Sequence, residues 1–288
     1  MRLIHTTTLQ LQEFFGEAVP RYAILSHRWE DDEVTFQDLV NGEAKSRAGW
    51  MKVLSCCQKS KGDGWTYLWI DSCCIDKTSS AELSEAINTM FEWYERSQMC
   101  YAYLSDVPPA TNFSKSAQRT FFIQSQWFTR GWTLQELLAP RWVEFLASDW
   151  SEIGTKSSLA GLISVATRIK HLFNYRSASI AQKMSWASTR QTTRVEDGAY
   201  CLMGLFEVNM PLLYGEGMNA FLRLQLQILS QNDDETIFAW ERERSDGGLL
   251  APSPTCFQNA GNMEIGNFDS FRPPFTMTNK GLCLELYL

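Results

Sequence analysis

Residues 125–140, SQWFTRGWTLQELLAP, form the stretch from which the rest of the chain can be interpreted. Within it, Glu136 stands among Leu134, Leu137 and Leu138, a pattern that predicts a helix packed against a core. A carboxylate with such neighbours belongs either at the rim of a cleft or in the first turn of the helix, where the helix dipole favours a negative charge. Glu136 is therefore either a functional carboxylate or a helix-capping residue.

The composition predicts a folded protein with a substantial core and no general affinity for nucleic acid. Of the 288 residues, 44% are hydrophobic and 13% are aromatic, and the formal net charge is −7. That charge leaves no broad basic face for nucleic acid. No leader pattern opens the chain, and no apolar run approaches the roughly 20 residues that span a bilayer. The sequence thus predicts a cytoplasmic protein without a membrane span.

The cysteine positions support the same compartment. The eight cysteines are Cys56, Cys57, Cys73, Cys74, Cys100, Cys201, Cys256 and Cys283. Most of them fall inside apolar runs and not at the loop spacing of a disulfide scaffold. The two adjacent pairs lack the CxxC spacing with which two thiolates reach one zinc ion. We therefore expect buried, reduced thiols and no metal site.

Short apolar runs alternate with helical patterns in the first half of the chain. Four of these runs predict buried strands, at Tyr22–Leu25, Tyr67–Ile70, Cys100–Leu104 and Arg141–Leu146. Residues 36–59 have helical periodicity. Ser79 and Glu82 have the spacing of a capping box, which predicts the start of another helix. This alternation predicts an α/β fold with a mainly parallel sheet flanked by helices.

The predicted domain organisation follows changes in the pattern along the chain. An α/β core occupies about 20–150 and a helical extension about 151–245, and together they lie in a domain at 1–245. Residues 246–288 shift towards Gly, Pro, Asn and Ser and end in a predicted β-hairpin. The last predicted strand stops abruptly, which suggests a truncated product or a piece of a longer protein.

Polar side chains follow the predicted strands at the places where the strands end. In open α/β sheets, ligands bind in the crevice outside the carboxyl ends of the strands. This rule gathers Ser26, His27, Arg28, Trp29, Asp71, Ser105, Asp106 and Glu136, with Trp132 just before the helix of Glu136. His27 is alternatively a hydrogen-bonded structural residue, and Asp71 a turn cap. The chain has neither the GxGxxG nor the GxxxxGK[ST] pattern of nucleotide-binding loops.

Several longer motifs resemble the fungal heterokaryon-incompatibility (HET) domain. They are YAILSHRW (22–29), EVTF (33–36), WIDSCCIDK (69–77), FTRGWTLQELLAP (128–140), MSWASTRQTTRVEDGAYCLMGLFEVNMPLLYGEG (184–217) and GLLAPSP (248–254). The resemblance implies a role in fungal non-self recognition, in which fusion of incompatible hyphae triggers programmed cell death. It also implies nucleotide-binding or repeat regions downstream, or an incompatibility partner protein. Arg28 and Glu30 stand where many members carry Thr and Gly.

A second, more distant resemblance is to TIR domains. Residues 131–137, GWTLQEL, are similar to their Trp-Cys-Leu-x-Glu-Leu segment, with Trp132 at the aromatic position and Thr133 in place of Cys. The resemblance implies a TIR-like, flavodoxin-like sheet. It also implies that Glu136 is the catalytic residue of NAD cleavage.

The chemistry of that reaction requires little of the protein. The nicotinamide–ribose bond breaks through an oxocarbenium-like state, and nicotinamide leaves as a neutral molecule, so one carboxylate beside the ribose suffices. Under this hypothesis NAD is the substrate, no cofactor is needed, and the other strand-end residues bind the substrate. The first functional hypothesis is thus a NAD glycohydrolase that acts after self-association. The second is a non-catalytic signalling adaptor that works through protein–protein interaction.

Overall fold

A computed structural model describes residues 1–110, 115–241, 248–266, 276–278 and 281–283. The chain divides into two compact units, residues 1–172 and 173–288. The first unit contains a seven-stranded sheet. Its strands are β1 (Arg2–His5), β2 (Leu11–Glu13), β3 (Ala23–His27), β4 (Tyr67–Trp69), β5 (Met99–Tyr103), β6 (Val143–Leu146) and β7 (Glu152–Thr155).

The sheet is parallel at its centre and antiparallel at both flanks. The strand order is β2-β1-β4-β3-β5-β6-β7, and the pairs β4–β3, β3–β5 and β5–β6 are parallel. The four predicted strands therefore lie in the order second, first, third, fourth, which is the flavodoxin-like arrangement. The predicted α/β fold is confirmed. The TIR-like assignment within it stays a prediction.

Helices follow the strands of the first unit and flank its sheet. They are α1 (Phe36–Asn41), α2 (Trp50–Gly62), α3 (Asp71–Cys74), α4 (Ser80–Arg96), α5 (Lys115–Gln124), α6 (Thr133–Leu138) and α7 (Ala160–Thr167). Thr35 and Asp38 form a capping box that starts α1, and Gly42, at a φ of +76°, ends it. The helical pattern predicted over 36–59 is therefore interrupted between α1 and α2.

Strand β3 lies at the centre of the parallel strands, with every residue buried. A strand covered on both faces reads as a continuous apolar run, which is why the pattern at Tyr22–Leu25 predicts it. The prediction that Ser26 and His27 follow the strand is wrong. Both residues continue β3 and pair with Ala102 and Tyr103 of β5, because ladder hydrogen bonds with the neighbouring strand extend β3 past its apolar residues.

The second unit is helical, with a short hairpin near the end of the chain. Its α-helices and strands are α8 (Ile180–Ala187), α9 (Asp197–Tyr200), α10 (Asn219–Leu229), β8 (Thr276–Thr278) and β9 (Gly281–Cys283). Strands β8 and β9 pair antiparallel, as predicted, and the remainder of the predicted hairpin lies outside the described residues. The predicted domain limits at 150 and 245 stay predictions.

The described residues contain no helix with both the length and the apolar character needed to cross a membrane. All eight cysteines are free thiols. Burial raises the pKa of Cys56, Cys74 and Cys100 well above its ordinary value, so these three are unreactive. Within the described ranges, no group of three or more His, Cys, Asp or Glu side chains is placed to hold a metal ion.

Candidate active site

Glu136 and Ser26 meet in the interior of the first unit. Helix α6 contacts β3 and α4, which places the Glu136 carboxyl against the Ser26 side chain. Ser26 Oγ donates a hydrogen bond to Glu136 Oε2, and Trp127 Nε1 donates one to Ser26 Oγ at 2.9 Å. Glu136 is 6% exposed and Ser26 is fully buried. The two residues therefore converge as predicted, and the site where they meet is buried inside the protein.

Tyr94 of α4 completes the surroundings of Glu136. Its hydroxyl donates to the Leu25 carbonyl oxygen at 3.0 Å and also contacts the Glu136 carboxyl. A phenol has one hydrogen to donate. While Tyr94 gives that hydrogen to Leu25, the carboxyl receives none from it. A Tyr94 hydroxyl that donates to Glu136 instead lowers the pKa of the carboxyl.

The pKa of Glu136 is set mainly by burial. Burial raises the pKa of the carboxyl to about 7, the Ser26 hydrogen bond opposes that rise, and the Asp71 charge adds to it. At neutral pH, Glu136 is therefore present in both protonation states. A carboxyl poised in this way suits proton transfer or charge stabilisation, although buried structural carboxyls show the same behaviour.

His27 lies beside this pair as a neutral, buried imidazole. Its Nε2 is 3.7 Å from Glu33 Oε1 and 3.9 Å from Asp71 Oδ1. Neither ring nitrogen has a hydrogen-bond partner among the described residues. Burial lowers the pKa of His27, and the Lys52 charge reinforces that effect. The imidazole is thus a polar but uncharged group that lies between the carboxylates of Glu33 and Asp71.

Asp71, Trp29 and Lys77 form a separate cluster at the half-exposed side of the site. Trp29 Nε1 donates to Asp71 Oδ2 at 2.7 Å, and Lys77 Nζ lies 3.7 Å from the same oxygen. The ammonium also lies 3.4 Å from the centroid of the Trp29 ring. Burial favours the neutral acid, but the charge of Lys77 and the hydrogen bond from Trp29 hold the pKa of Asp71 below its ordinary value.

Arg28 and Asp106 fasten the segment that carries Trp127. Asp106 accepts hydrogen bonds from Ser125 Oγ and from the Gln126 amide, both at 2.7 Å, at the start of a 3-10 helix. Arg28 Nη1 donates to Gln126 Oε1. Their contacts in the structure therefore position Trp127. Their predicted role in substrate binding stays a prediction.

Ser105 and Trp132 are less closely tied to the Glu136 carboxyl. Ser105 is exposed and hydrogen-bonds the Glu30 side chain. Trp132 is half-buried just before α6, and its carbonyl oxygen accepts a hydrogen bond from the Glu136 amide at 3.4 Å. Both remain predicted substrate-binding residues. By comparison, Ser26 hydrogen-bonds the Glu136 carboxyl, and the Asp71 charge acts on its pKa.

Lys156 fixes the far end of α6. Its Nζ donates to the carbonyl oxygens of Leu138 and Pro140, each at 3.1 Å, and the residue is only 5% exposed. A cation at a helix C-terminus satisfies carbonyls that have no partner within the helix. Burial lowers the pKa of Lys156 to about 8. Lys156 thereby holds the helix that presents Glu136.

Three residues of the site were missed by sequence reasoning. Tyr94 and Lys156 come from elements far along the chain from Glu136, and no local pattern relates them to it. Trp127 lies within the quoted stretch, so its place nine residues before Glu136 was an available signal. Its role as donor to Ser26 depends on the way β3 and α6 pack.

Replacing Ser26 with alanine is expected to raise the pKa of Glu136 further and to lower the free energy of unfolding by about 1–2 kcal/mol. The variant loses the hydroxyl that stabilises the carboxylate, and it leaves the buried Trp127 Nε1 without its acceptor. Carboxyl titration by NMR and urea unfolding measure the two effects. Ser72→Ala, at a buried serine that contacts Cys73, is the control and should leave the Glu136 titration unchanged. An unchanged midpoint in Ser26→Ala would contradict the assignment.

The fold and the site define the class of protein. It is an α/β protein with a parallel sheet centre that buries a carboxyl group with a raised pKa near the carboxyl end of its first parallel strand, beside a half-exposed tryptophan and ion pair. The chain belongs to the heterokaryon incompatibility (HET) protein family, whose model matches residues 22–120. That match ends before Glu136.

A relative extends the similarity beyond this range. The chain is 42% identical over 224 residues to the vegetative incompatibility protein HET-E-1 of Podospora anserina, in an alignment that covers 75% of this chain and 16% of that protein. The chain thus corresponds to a minor part of the length of this relative. No solved structure matches the chain significantly.

Proposed function

We propose that this chain acts in the cytoplasm in fungal non-self recognition, as a heterokaryon incompatibility domain that triggers programmed cell death. Family membership and the vegetative incompatibility protein to which it is 42% identical support the biological part of the proposal. The proposed chemical step is cleavage of NAD at the nicotinamide–ribose bond after the domain self-associates. Downstream nucleotide-binding or repeat regions, or an incompatibility partner protein, would then control that association.

The buried carboxyl of Glu136, with its pKa raised to about 7, is the observation that carries the chemical proposal. In the reaction, ionised Glu136 hydrogen-bonds the ribose hydroxyls and stabilises the positive charge that develops on the sugar. A cationic nicotinamide ring nearby favours the carboxylate and lowers the pKa of Glu136 when the substrate binds. Trp127 fixes Ser26, and Ser26 fixes the carboxyl, so the group is preorganised.

Substrate access is the demanding step. Glu136 is 6% exposed, and it is in contact with Ser26 and Tyr94. A ribose hydroxyl must therefore replace one of these contacts, which requires α6 or the Trp127 segment to move. Association of several copies is the event that we propose drives this movement.

The same burial favours a second candidate function, the non-catalytic adaptor. In that role the Ser26–Glu136 hydrogen bond only joins α6 to β3, and the surface of the domain binds partner proteins. The two functions differ in one measurable respect, because only the first consumes NAD.

The test is an NAD-consumption assay on the purified protein, free and crowded on beads. We expect nicotinamide release from the crowded protein, with kcat/KM rising with pH and levelling off above about 7, because the ionised carboxyl is the active form. Glu136→Gln should lower kcat by at least about 100-fold, the scale of a lost electrostatic stabiliser. Glu144→Gln, at another buried carboxyl, which pairs with Lys59 at 2.9 Å, is the matched control and should retain turnover.

Two results would contradict the enzymatic proposal. Turnover retained by Glu136→Gln would remove this residue from the mechanism. No NAD consumption by any assembled form, with partner binding intact, would establish the adaptor.

A further inference from the structure

The exposed face of Trp29 already carries a cation. Lys77 Nζ lies 3.4 Å from the ring centroid and 3.7 Å from Asp71 Oδ2. Asp71 Oδ2 in turn accepts a hydrogen bond from Trp29 Nε1 at 2.7 Å, which fixes the ring against the carboxylate. An aromatic face combined with a carboxylate is the arrangement that recognises organic cations. In this structure, the Lys77 ammonium occupies the position that such a cation would take.

The Lys77 side chain can leave without disturbing the backbone that supports it. The turn around Lys77 is held by Asp76, whose amide donates to Glu82 Oε1 at 2.8 Å and whose Oδ1 accepts from the Thr78 amide at 3.0 Å. The Lys77 side chain itself is 33% exposed and has a flexible four-carbon stem. Partial burial of the ammonium in this position lowers the pKa of Lys77.

We propose that Trp29 and Asp71 form a binding subsite for a planar organic cation, and that Lys77 is a built-in competitor for it. A pyridinium-type ring combines positive charge with a flat face, so it gains both the carboxylate and stacking on the indole, whereas the ammonium gains little from stacking. Its charge is also spread over the ring, so less solvation is lost on binding. The Arg130 guanidinium, whose charge acts on Asp71 and Lys77, opposes any cation there and makes displacement of Lys77 necessary.

The identification of the natural cation, unlike the subsite itself, rests on the proposed function. Trp29 follows Ser26, the hydrogen-bond partner of Glu136, by three residues, and the Asp71 charge acts on Glu136, so the subsite lies close to the carboxyl proposed to act on the ribose. The nicotinamide ring of NAD is then the natural occupant, and Lys77 keeps the resting site closed. Binding of a simple pyridinium does not depend on that identity.

The experiment measures binding of two probes by calorimetry. The 1-methylnicotinamide cation, methylated at the ring nitrogen, carries the pyridinium ring without a ribose, and nicotinamide is its neutral counterpart. Lys77→Met should bind the cation about tenfold more tightly than the unmodified protein, which is the scale of one cation–π contact, and should bind neutral nicotinamide no better. Trp29→Leu and Asp71→Asn, each made in the Lys77→Met background, should lose that gain.

The matched control is Lys59→Met, since Lys59 also lies over an aromatic ring, 5.4 Å from the centroid of Tyr101, but pairs with Asp63 and Glu144. It should leave cation binding unchanged. Equal affinity of Lys77→Met and the unmodified protein for the cation, with melting temperatures that show both are folded, would overturn the proposal. An equal gain for both probes would also overturn it, because charge would then not be recognised. Tighter cation binding without NAD cleavage would sustain the subsite and reject the proposed function.

Discussion

At pH 8, the Glu136→Gln variant is expected to unfold with a free energy about 3 kcal/mol larger than that of the native chain. The carboxyl has its ordinary pKa of 4.5 in the unfolded chain, and burial raises the pKa to about 7 in the folded one. The folded state therefore holds the proton more tightly, and stability falls as pH rises from about 4.5 to 7. Above that window, the native fold carries the full cost of a buried charge. Glutamine carries no charge and keeps the shape.

Urea unfolding of both proteins at pH 4 and pH 8 measures this difference. The amide of the substituted glutamine can accept a hydrogen bond from Ser26, as the carboxyl does, and its NH2 group can donate to the Tyr94 oxygen. The two proteins should therefore be nearly equal in stability at pH 4. Equal stability at both pH values would show that Glu136 titrates normally and would weaken its candidacy as a tuned carboxyl. Gain of stability with loss of turnover is the combination expected of a functional charge.

Replacing Lys52 with methionine is expected to destabilise the fold by about 3–5 kcal/mol. Lys52 Nζ pairs with Glu33, whose side chain is 5% exposed, and with Glu30 Oε2 at 3.2 Å. Without the ammonium, Glu33 is a buried charge whose near neighbour is the neutral His27 imidazole, 3.7 Å away. Such an uncompensated charge is far more costly than the loss of an exposed pair.

Two further variants separate this cause from loss of packing. Adding Glu33→Gln to Lys52→Met removes the stranded charge and should recover most of the lost stability. Arg96→Met breaks an exposed pair with Glu92, with side chains 71% and 47% exposed, and should cost less than about 1 kcal/mol. A double variant that remains as unstable as Lys52→Met would attribute the loss to packing of the lysine stem.

The sequence predicted the location of a residue best where the end of a neighbouring strand sets that location. Asp71 follows β4 closely, as its apolar run predicted, whereas Ser26 lies within β3 and not beyond its end, although β3 still contacts α6. Local patterns also identified the helix of Glu136. They did not reveal β1 or β2, since strands of four and three residues carry too little periodicity to be recognised.

The surroundings of the carboxyl were beyond such patterns. No local pattern pointed to Tyr94, because its contact with Glu136 depends on how α4 and α6 pack. Lys156 reaches α6 from the chain beyond β7, a strand that the sequence did not predict. The pKa of Glu136 depends on all of these neighbours, so it became accessible only with the structure.

The antiparallel flanks of the sheet restrict how copies of this domain can join. The outermost strands, β2 and β7, have three and four residues, so each offers another chain only a short row of backbone groups. The short edge strands therefore disfavour the extension of one continuous sheet through many copies by strand pairing. A multimer formed through the first unit would then depend on side-chain complementarity between its faces, so its geometry would follow from the surface sequence.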